Sequence, residues 1–181
     1  MLKHMKVVIA LLTICSAAAC AAPLFAQAHG GAVGAQQVFL AKRAGNYTRV
    51  IKFVGQPGEW KGTSKISVIL GGRFIMEENH DEVMGHPVEG IRILGYDDAN
   101  KHYEMISMYT MSTGITKFVG TSNDSGRTVE YSAASSQPQG QAPLHALIRQ
   151  MNSDEFVVTL STRGADGKFS PFQETTYTRT K

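Results

Sequence analysis

Beyond residue 38, short stretches of β-branched, aromatic and aliphatic residues alternate with short polar segments. The intervening segments are rich in Gly, Pro, Asn and Asp, which favour turn conformations. A succession of short strands and tight turns predicts an all-β antiparallel meander. Because an open sheet of about ten strands would leave two exposed edges, we expect an up-and-down barrel that closes on itself. The predicted strands are Tyr47–Val54, Thr63–Leu70, Arg73–His80, Val88–Tyr96, His102–Thr110, Ile115–Thr121, Thr128–Ala133, Leu144–Met151, Phe156–Thr162 and Phe172–Arg179.

The hydrophobic alternation within these strands is imperfect. Ile66 and Val68 share one face, but Ile69 lies on the other; Met105 and Ser107 likewise oppose Ile106. Strands that are partly apolar on both faces favour a barrel with a filled or ligand-accepting interior and a partly covered exterior. Residues 35–44 are the one stretch compatible with a helical period, and they predict a short helix that plugs one end of the barrel.

The first residues have the three parts of a secretory signal. A basic head precedes the apolar run Val7–Ala19, and Ala26-Gln27-Ala28 places small residues where a signal peptidase cleaves. We therefore expect residues 1–28 to be a signal peptide that is removed before His29, and the protein to be periplasmic or secreted from a bacterium. A lipoprotein route is the alternative: Cys20 follows three alanines and would then tether the protein to a membrane.

Removal of the signal changes the interpretation of cysteine content and charge. Cys15 and Cys20 are the only cysteines, so the mature protein has no disulfide, thiolate metal site or cysteine nucleophile. Loss of Lys3 and Lys6 lowers the basic count from 18 to 16 against 15 acidic residues, which leaves a net charge of +1. A balance so near neutrality gives no support for nucleic acid as a partner. Residues 29–38 predict a flexible lead-in and residues 39–181 a single barrel domain.

Five short motifs follow one another along the chain: Leu70–Phe74 (LGGRF), Gly85–Gly90 (GHPVEG), Gly95–Asp97 (GYD), Thr113–Ile115 (TGI) and Tyr177–Arg179 (YTR). Their order and spacing resemble the bacterial domain of unknown function 1579 family, which is similar to the calycins, the lipocalin-like β-barrels. The resemblance spans roughly residues 39–180 and implies a fold, but no reaction.

The resemblance also implies how the barrel closes. Tyr47 follows Gly45 where lipocalins carry a tryptophan on the first strand, and Arg179 lies where a lipocalin arginine packs over that ring. Contact between Tyr47 and Arg179 would join the first strand to the last. Relatives often carry Trp and Asp on the fifth strand. Ser107 and Tyr109 stand there in this chain, so no role of that pair carries over.

The densest polar cluster is Glu77–Glu82, followed by His86. On a strand, Glu78, His80 and Glu82 point one way, and Glu77 and Asp81 point the other. Imidazole and carboxylate are ligands for divalent metals. A metal site needs three or four convergent ligands, which this segment does not guarantee, so the cluster favours a solvated hairpin. We predict no metal and no cofactor.

Signals for catalysis are weak. His80, His86, His102 and His145 each lie among polar or turn residues, which is typical of surface histidines, although haem ligation through one of them remains an alternative. The sequence contains no G-x-S-x-G motif. Gly71-Gly72 indicates a tight turn, because no helix follows it to form a phosphate site. The sequence therefore favours a binding module over an enzyme.

Methionines and aromatic residues on the middle strands predict a ligand pocket inside the barrel. We expect Phe74, Met76, Met105 and Tyr109 to line it, with Arg92 as a polar anchor for a carboxylate head group. The predicted function is binding of a small apolar or amphipathic ligand. The alternatives are a structural or protein-interaction domain with a filled barrel, and a haem- or metal-dependent enzyme.

Overall fold

The computed structural model describes residues 32–133 and 143–181. A short helix precedes ten strands, and one turn of 3₁₀ helix, Leu70–Gly72, connects β2 to β3. The predicted signal peptide and its cleavage site before His29 lie outside the described residues. The elements are α1 (Ala35–Ala41), β1 (Gly45–Phe53), β2 (Trp60–Ile69), β3 (Phe74–Val83), β4 (His86–Asp97), β5 (His102–Tyr109), β6 (Thr116–Thr121), β7 (Thr128–Ala133), β8 (Leu144–Gln150), β9 (Glu155–Arg163) and β10 (Phe169–Arg179).

Each strand pairs antiparallel with its neighbour in sequence, and β1 also pairs with β10, which closes the barrel. The predicted all-β up-and-down barrel, its ten strands and its short helix are thus confirmed. Closure satisfies the backbone groups that two free edges would expose. The helix begins at Ala35, where the predicted helix of residues 35–44 begins, so residues 35–38, which the predicted lead-in of residues 29–38 also included, are helical, and Gln37 is buried. No helix among the described residues is long and apolar enough to cross a membrane.

Helix α1 lies across one end of the barrel, which we call the helix end. The Gln37 amide donates hydrogen bonds to the carbonyl of Tyr96 (3.2 Å) and to Asp98 Oδ2 (2.7 Å), in and beside the β4–β5 turn. Arg43, which follows the helix, donates to Gln150 Oε1 at 3.0 Å and to the carbonyl of Gly126 at 3.3 Å. The helix is thereby fixed to three of the turns at this end.

The apolar core fills the half of the barrel next to α1. Leu40 of the helix packs into a cluster of inward-facing aromatic and aliphatic residues, including Tyr47, Phe156 and Tyr177. The Phe156 and Tyr177 rings stack with their centres 4.1 Å apart. The opposite end carries the β1–β2, β3–β4, β5–β6 and β9–β10 turns, and we call it the distal end. Apolar side chains therefore fill the barrel interior at the helix end, and the side chains that fill it nearer the distal end are of a different kind.

Candidate ligand-binding site

Charged residues, rather than further apolar ones, occupy the middle of the barrel interior. The pleat of β3 points alternate residues inward, and three of these are Glu77, Asn79 and Asp81. Two arginines on other strands, Arg49 of β1 and Arg92 of β4, face them. The side chains of both arginines and both carboxylates are at most 5% exposed. Burial of four charges requires that each has a partner of opposite sign.

Glu77 is the centre of the deeper half of this network. Its Oε1 accepts hydrogen bonds from Arg92 Nη2 (2.7 Å), the Tyr177 hydroxyl (2.8 Å) and Ser64 Oγ (3.3 Å). Burial alone would raise the pKa of Glu77, but the charges of Arg92 and Arg49 and the two hydroxyl hydrogen bonds outweigh it, so the pKa is lowered. Glu77 is therefore held ionised, and Arg92 is its ion-pair partner.

Arg49 and Asp81 form the second ion pair, one step closer to the distal end. The Arg49 guanidinium also lies over the Tyr177 ring, 4.9 Å from its centre. Gly62 on β2 makes room for this pair, because a Cβ at that position would collide with Asp81 Oδ1. Burial raises the pKa of Asp81, and the charge of Arg49 only partly opposes it. Asp81 is thus a less firmly ionised carboxylate than Glu77.

Several polar atoms of this network lack a hydrogen-bond partner among the described residues. They belong to Arg49 (Nε), Arg92 (Nε), Asp81 (Oδ1) and Asn79 (Nδ2 and Oδ1). Buried donors and acceptors are normally satisfied by protein, water or ligand. The unpaired atoms include both hydrogen-bond donors and hydrogen-bond acceptors, and they lie in the middle of the barrel.

A cavity of about 270 Å³ lies on the distal side of Arg49 and Asp81. Its volume is close to the lower end of the range for small-molecule sites, ~300–1,000 Å³. Arg49 and Asp81 form its floor, because the next inward residues of their strands, Ile51 and Val83, line its wall nearer the distal end. The remaining lining residues are Phe53, Val88, Tyr109, Met111, Leu144, Leu160, Phe172 and Gln173. An apolar wall above an ion-pair floor can hold an amphipathic molecule.

The structure divides the five residues that we predicted to line the pocket. Tyr109 lines the cavity. Met105 faces inward but is buried in the core, and Arg92 faces inward but is paired with Glu77. Neither is among the residues that line the cavity.

Phe74 and Met76 were assigned to the wrong face. They alternate with the inward-facing Ile75 and Glu77 on β3, and Phe74 lies against Gly95 on the outer surface. Both faces of this strand begin with apolar residues, so the alternation alone did not reveal which face pointed inward.

The predicted closure pair is found at the junction of the first and last strands. Tyr47 and Arg179 are directly opposite in the β1–β10 register, and the guanidinium lies 4.9 Å from the centre of the Tyr47 ring. Arg179 also donates hydrogen bonds to the carbonyls of Ala44 (2.6 Å) and Lys42 (3.0 Å). These contacts tie the end of β10 to the chain that leads into β1.

The outward half of the Glu77–Glu82 cluster lies on the barrel surface. Glu78 and His80 line a groove outside β3, β4 and β5, with Glu89 3.7 Å from His80 and the side chains of His80 and Glu89 about two-thirds exposed. This outer groove is a second concave surface.

A further cluster of titratable residues lies beside the β4–β5 turn. Asp97, His102 and Glu104 place ligand atoms within 4.8 Å of one another, the one such set among the described residues. Asp97 already accepts hydrogen bonds from the backbone of Ala99 and Asn100. These hydrogen bonds show that Asp97 stabilises the turn.

Two of the other histidines lie outside this cluster. His145 packs against Phe169, and His86 is exposed.

Sequence reasoning missed Arg49, Asn79 and the inward roles of Glu77 and Asp81. The sequence favours a solvated hairpin for the whole Glu77–Glu82 cluster, whereas the pleat points Glu77, Asn79 and Asp81 into the barrel. The available signal was the alternation of Glu77, Asn79 and Asp81 along one face of β3. Pairing with Arg49 depends on register between strands that are distant in sequence, which periodicity does not supply.

The chain matches a known family model over most of its length. A family model described as "Protein of unknown function (DUF1579)" matches residues 33–179. No curated protein matches the chain. The matched range begins two residues before α1 and ends with β10, so it includes every helix and strand described above.

Proposed function

The chain belongs to the DUF1579 family, whose function is unknown, and we propose that it is a binding protein that holds a small amphipathic molecule in the distal cavity. One observation carries this proposal: the cavity combines an apolar wall with a buried floor that retains unpartnered donors and acceptors. If the buried ion pairs served only to stabilise the barrel, hydrophobic residues of equal volume would stabilise it as well or better, because buried ion pairs are often no more stabilising than such residues. In line with the predicted signal peptide, we propose that it acts in the periplasm or outside the cell.

The charge of the floor limits the polar end of the ligand. Arg49 could donate to an acceptor, but Asp81 beside it would repel a carboxylate or phosphate. An uncharged end group with both a donor and an acceptor, such as an amide or hydroxyl, complements the pair without disrupting it. The anchor is thus Arg49 with Asp81, in place of the Arg92 anchor expected from the sequence, because Arg92 is already bound by Glu77.

The test is titration of the purified protein with N-phenylnaphthylamine, an uncharged apolar probe that fluoresces when it leaves water. We expect saturable binding that is weakened at least tenfold by Leu160→Trp, which fills the cavity with a larger side chain. Val119→Trp is the matched control, because Val119 is exposed on the outer face of β6. The double variant Glu78→Gln, His80→Gln should leave binding intact.

Two results would contradict the proposal. Absence of saturable binding would favour a structural or protein-interaction domain instead. Equal binding by the Leu160→Trp and Val119→Trp variants would place the probe elsewhere, and loss of binding in the Glu78 and His80 variant would identify the outer groove as that place.

A further inference from the structure

Arg43 differs from the other buried arginines of the described chain. Arg49 is paired with Asp81 and Arg92 with Glu77, whereas Arg43, only 3% exposed, forms no ion pair within residues 32–133 and 143–181. Its hydrogen bonds go to the neutral acceptors of Gln150 and Gly126. Burial lowers the pKa of Arg43, in the direction expected for a desolvated cation. A buried cation without an anion is costly, so the site is electrostatically incomplete.

The residues that surround Arg43 carry further positive charge rather than a compensating negative charge. Arg43 lines a pocket of about 480 Å³ at the helix end together with Lys42, Arg127 and Arg179. Asp154 is the one carboxylate in the lining, and it lies 3.3 Å from Arg179. Four cations therefore face one anion that is already paired.

The interior next to this pocket is also short of acceptors. Tyr103 and Tyr131, which interact electrostatically with Arg43, have buried hydroxyl groups that lack a partner among the described residues. Partial compensation for Arg43 comes from the faces of Phe39 and Phe156, 5.8 and 5.5 Å from its guanidinium carbon. Aromatic faces attract a cation, but they do not neutralise it.

We propose that this helix-end pocket binds a phosphate group, either of a soluble phosphate monoester or of a phospholipid head group. The excess of three positive charges matches a phosphate monoester, which carries up to two negative charges near neutral pH, better than a singly charged carboxylate. Guanidinium groups also form paired hydrogen bonds with phosphate oxygens. This pocket is at the opposite end of the barrel from the distal cavity, so the proposal does not rest on the proposed function.

The experiment is calorimetric titration of the protein with inorganic phosphate at pH 7.5 and low ionic strength. Arg127→Gln and Lys42→Gln remove exposed cations of the pocket with little risk to folding. Each should weaken phosphate binding about tenfold, since a hydrogen bond to a charged group is lost. Arg163→Gln is the matched control, because Arg163 is exposed at the end of β9 and does not line the pocket.

A second arm separates the two sources of phosphate. The protein is sedimented with vesicles of phosphatidylcholine that contain or lack phosphatidic acid. Binding of inorganic phosphate alone supports a soluble monoester, and binding to phosphatidic acid vesicles that phosphate displaces supports a lipid head group. Binding of neither overturns the proposal, as does phosphate binding that Arg127→Gln and Lys42→Gln leave unchanged or that sodium chloride of equal ionic strength reproduces.

Discussion

The buried network around Glu77 offers the sharpest prediction about stability. Glu77→Gln keeps the shape of the side chain but removes the charge that balances Arg92, whose side chain is 5% exposed. It also weakens the two hydroxyl hydrogen bonds that end on Oε1, because a neutral acceptor binds less strongly than a carboxylate. Loss of one partner of a buried pair costs about 3–5 kcal/mol. The free energy of unfolding should fall by this amount.

The assay is urea unfolding followed by circular dichroism, with thermal unfolding alongside. For a domain of this size, about 3–5 kcal/mol corresponds to a fall in Tm of roughly 6–20 °C. Glu82→Gln is the control: Glu82 is exposed and faces outward on the same strand, so its loss should change the free energy by less than about 0.5 kcal/mol. Adding Arg92→Leu to Glu77→Gln removes the unbalanced cation, so the double variant should be less destabilised than the sum of the single ones.

The same prediction has a pH dependence. Because the pKa of Glu77 is lower in the folded protein than its ordinary value of 4.5, ionised Glu77 stabilises the fold above that pH. The contribution decreases as the pH falls through the folded-state pKa. The stability difference between the wild type and Glu77→Gln should therefore be largest near neutral pH and shrink under acid conditions. A difference below about 1 kcal/mol at pH 7 would refute the reasoning, since it would mean that water already compensates Arg92.

Three further predictions concern barrel closure, the ion-pair floor and processing. Arg179→Ala should lower the free energy of unfolding by about 1–2 kcal/mol, because the cation over the Tyr47 ring is lost, and an effect within experimental error in urea unfolding would contradict this. Gly62→Ala should cost about 1–3 kcal/mol by overpacking against the buried carboxylate, whereas Gly114→Ala, with its nearest atom 3.7 Å from the new Cβ, should cost less. Intact-mass measurement of the exported protein should show cleavage before His29, and a lipid-modified cysteine would show the lipoprotein route instead.

The sequence predicted the barrel well because turns and strands leave local signals. The ten apolar stretches and the Gly-, Pro- and Asn-rich segments between them need no knowledge of distant contacts. Closure followed from the cost of free edges, and the resemblance implied the Tyr47–Arg179 contact. The structure moves most strand ends by only one to three residues.

The interior was harder to predict, because it depends on which face of each strand points inward. On β3 the two faces differ by one residue, so assigning Phe74 and Met76 to the interior placed Glu77 and Asp81 outside. Charged residues normally face solvent. Glu77 and Asp81 face inward because Arg92 and Arg49, which lie on other strands, pair with them inside the barrel. The site therefore arises from long-range register, which a single sequence does not display.

Nuclear magnetic resonance tests most directly whether the distal cavity is the working site of the protein. The ¹⁵N-labelled protein is titrated with N-phenylnaphthylamine, and the amide shifts are mapped onto the strands. We predict that the largest saturable changes fall at Ile51, Val88 and Leu160 around the cavity, and that Leu160→Trp abolishes them. Changes confined to the outer groove at Glu78 and His80, or to the helix end, would contradict the account.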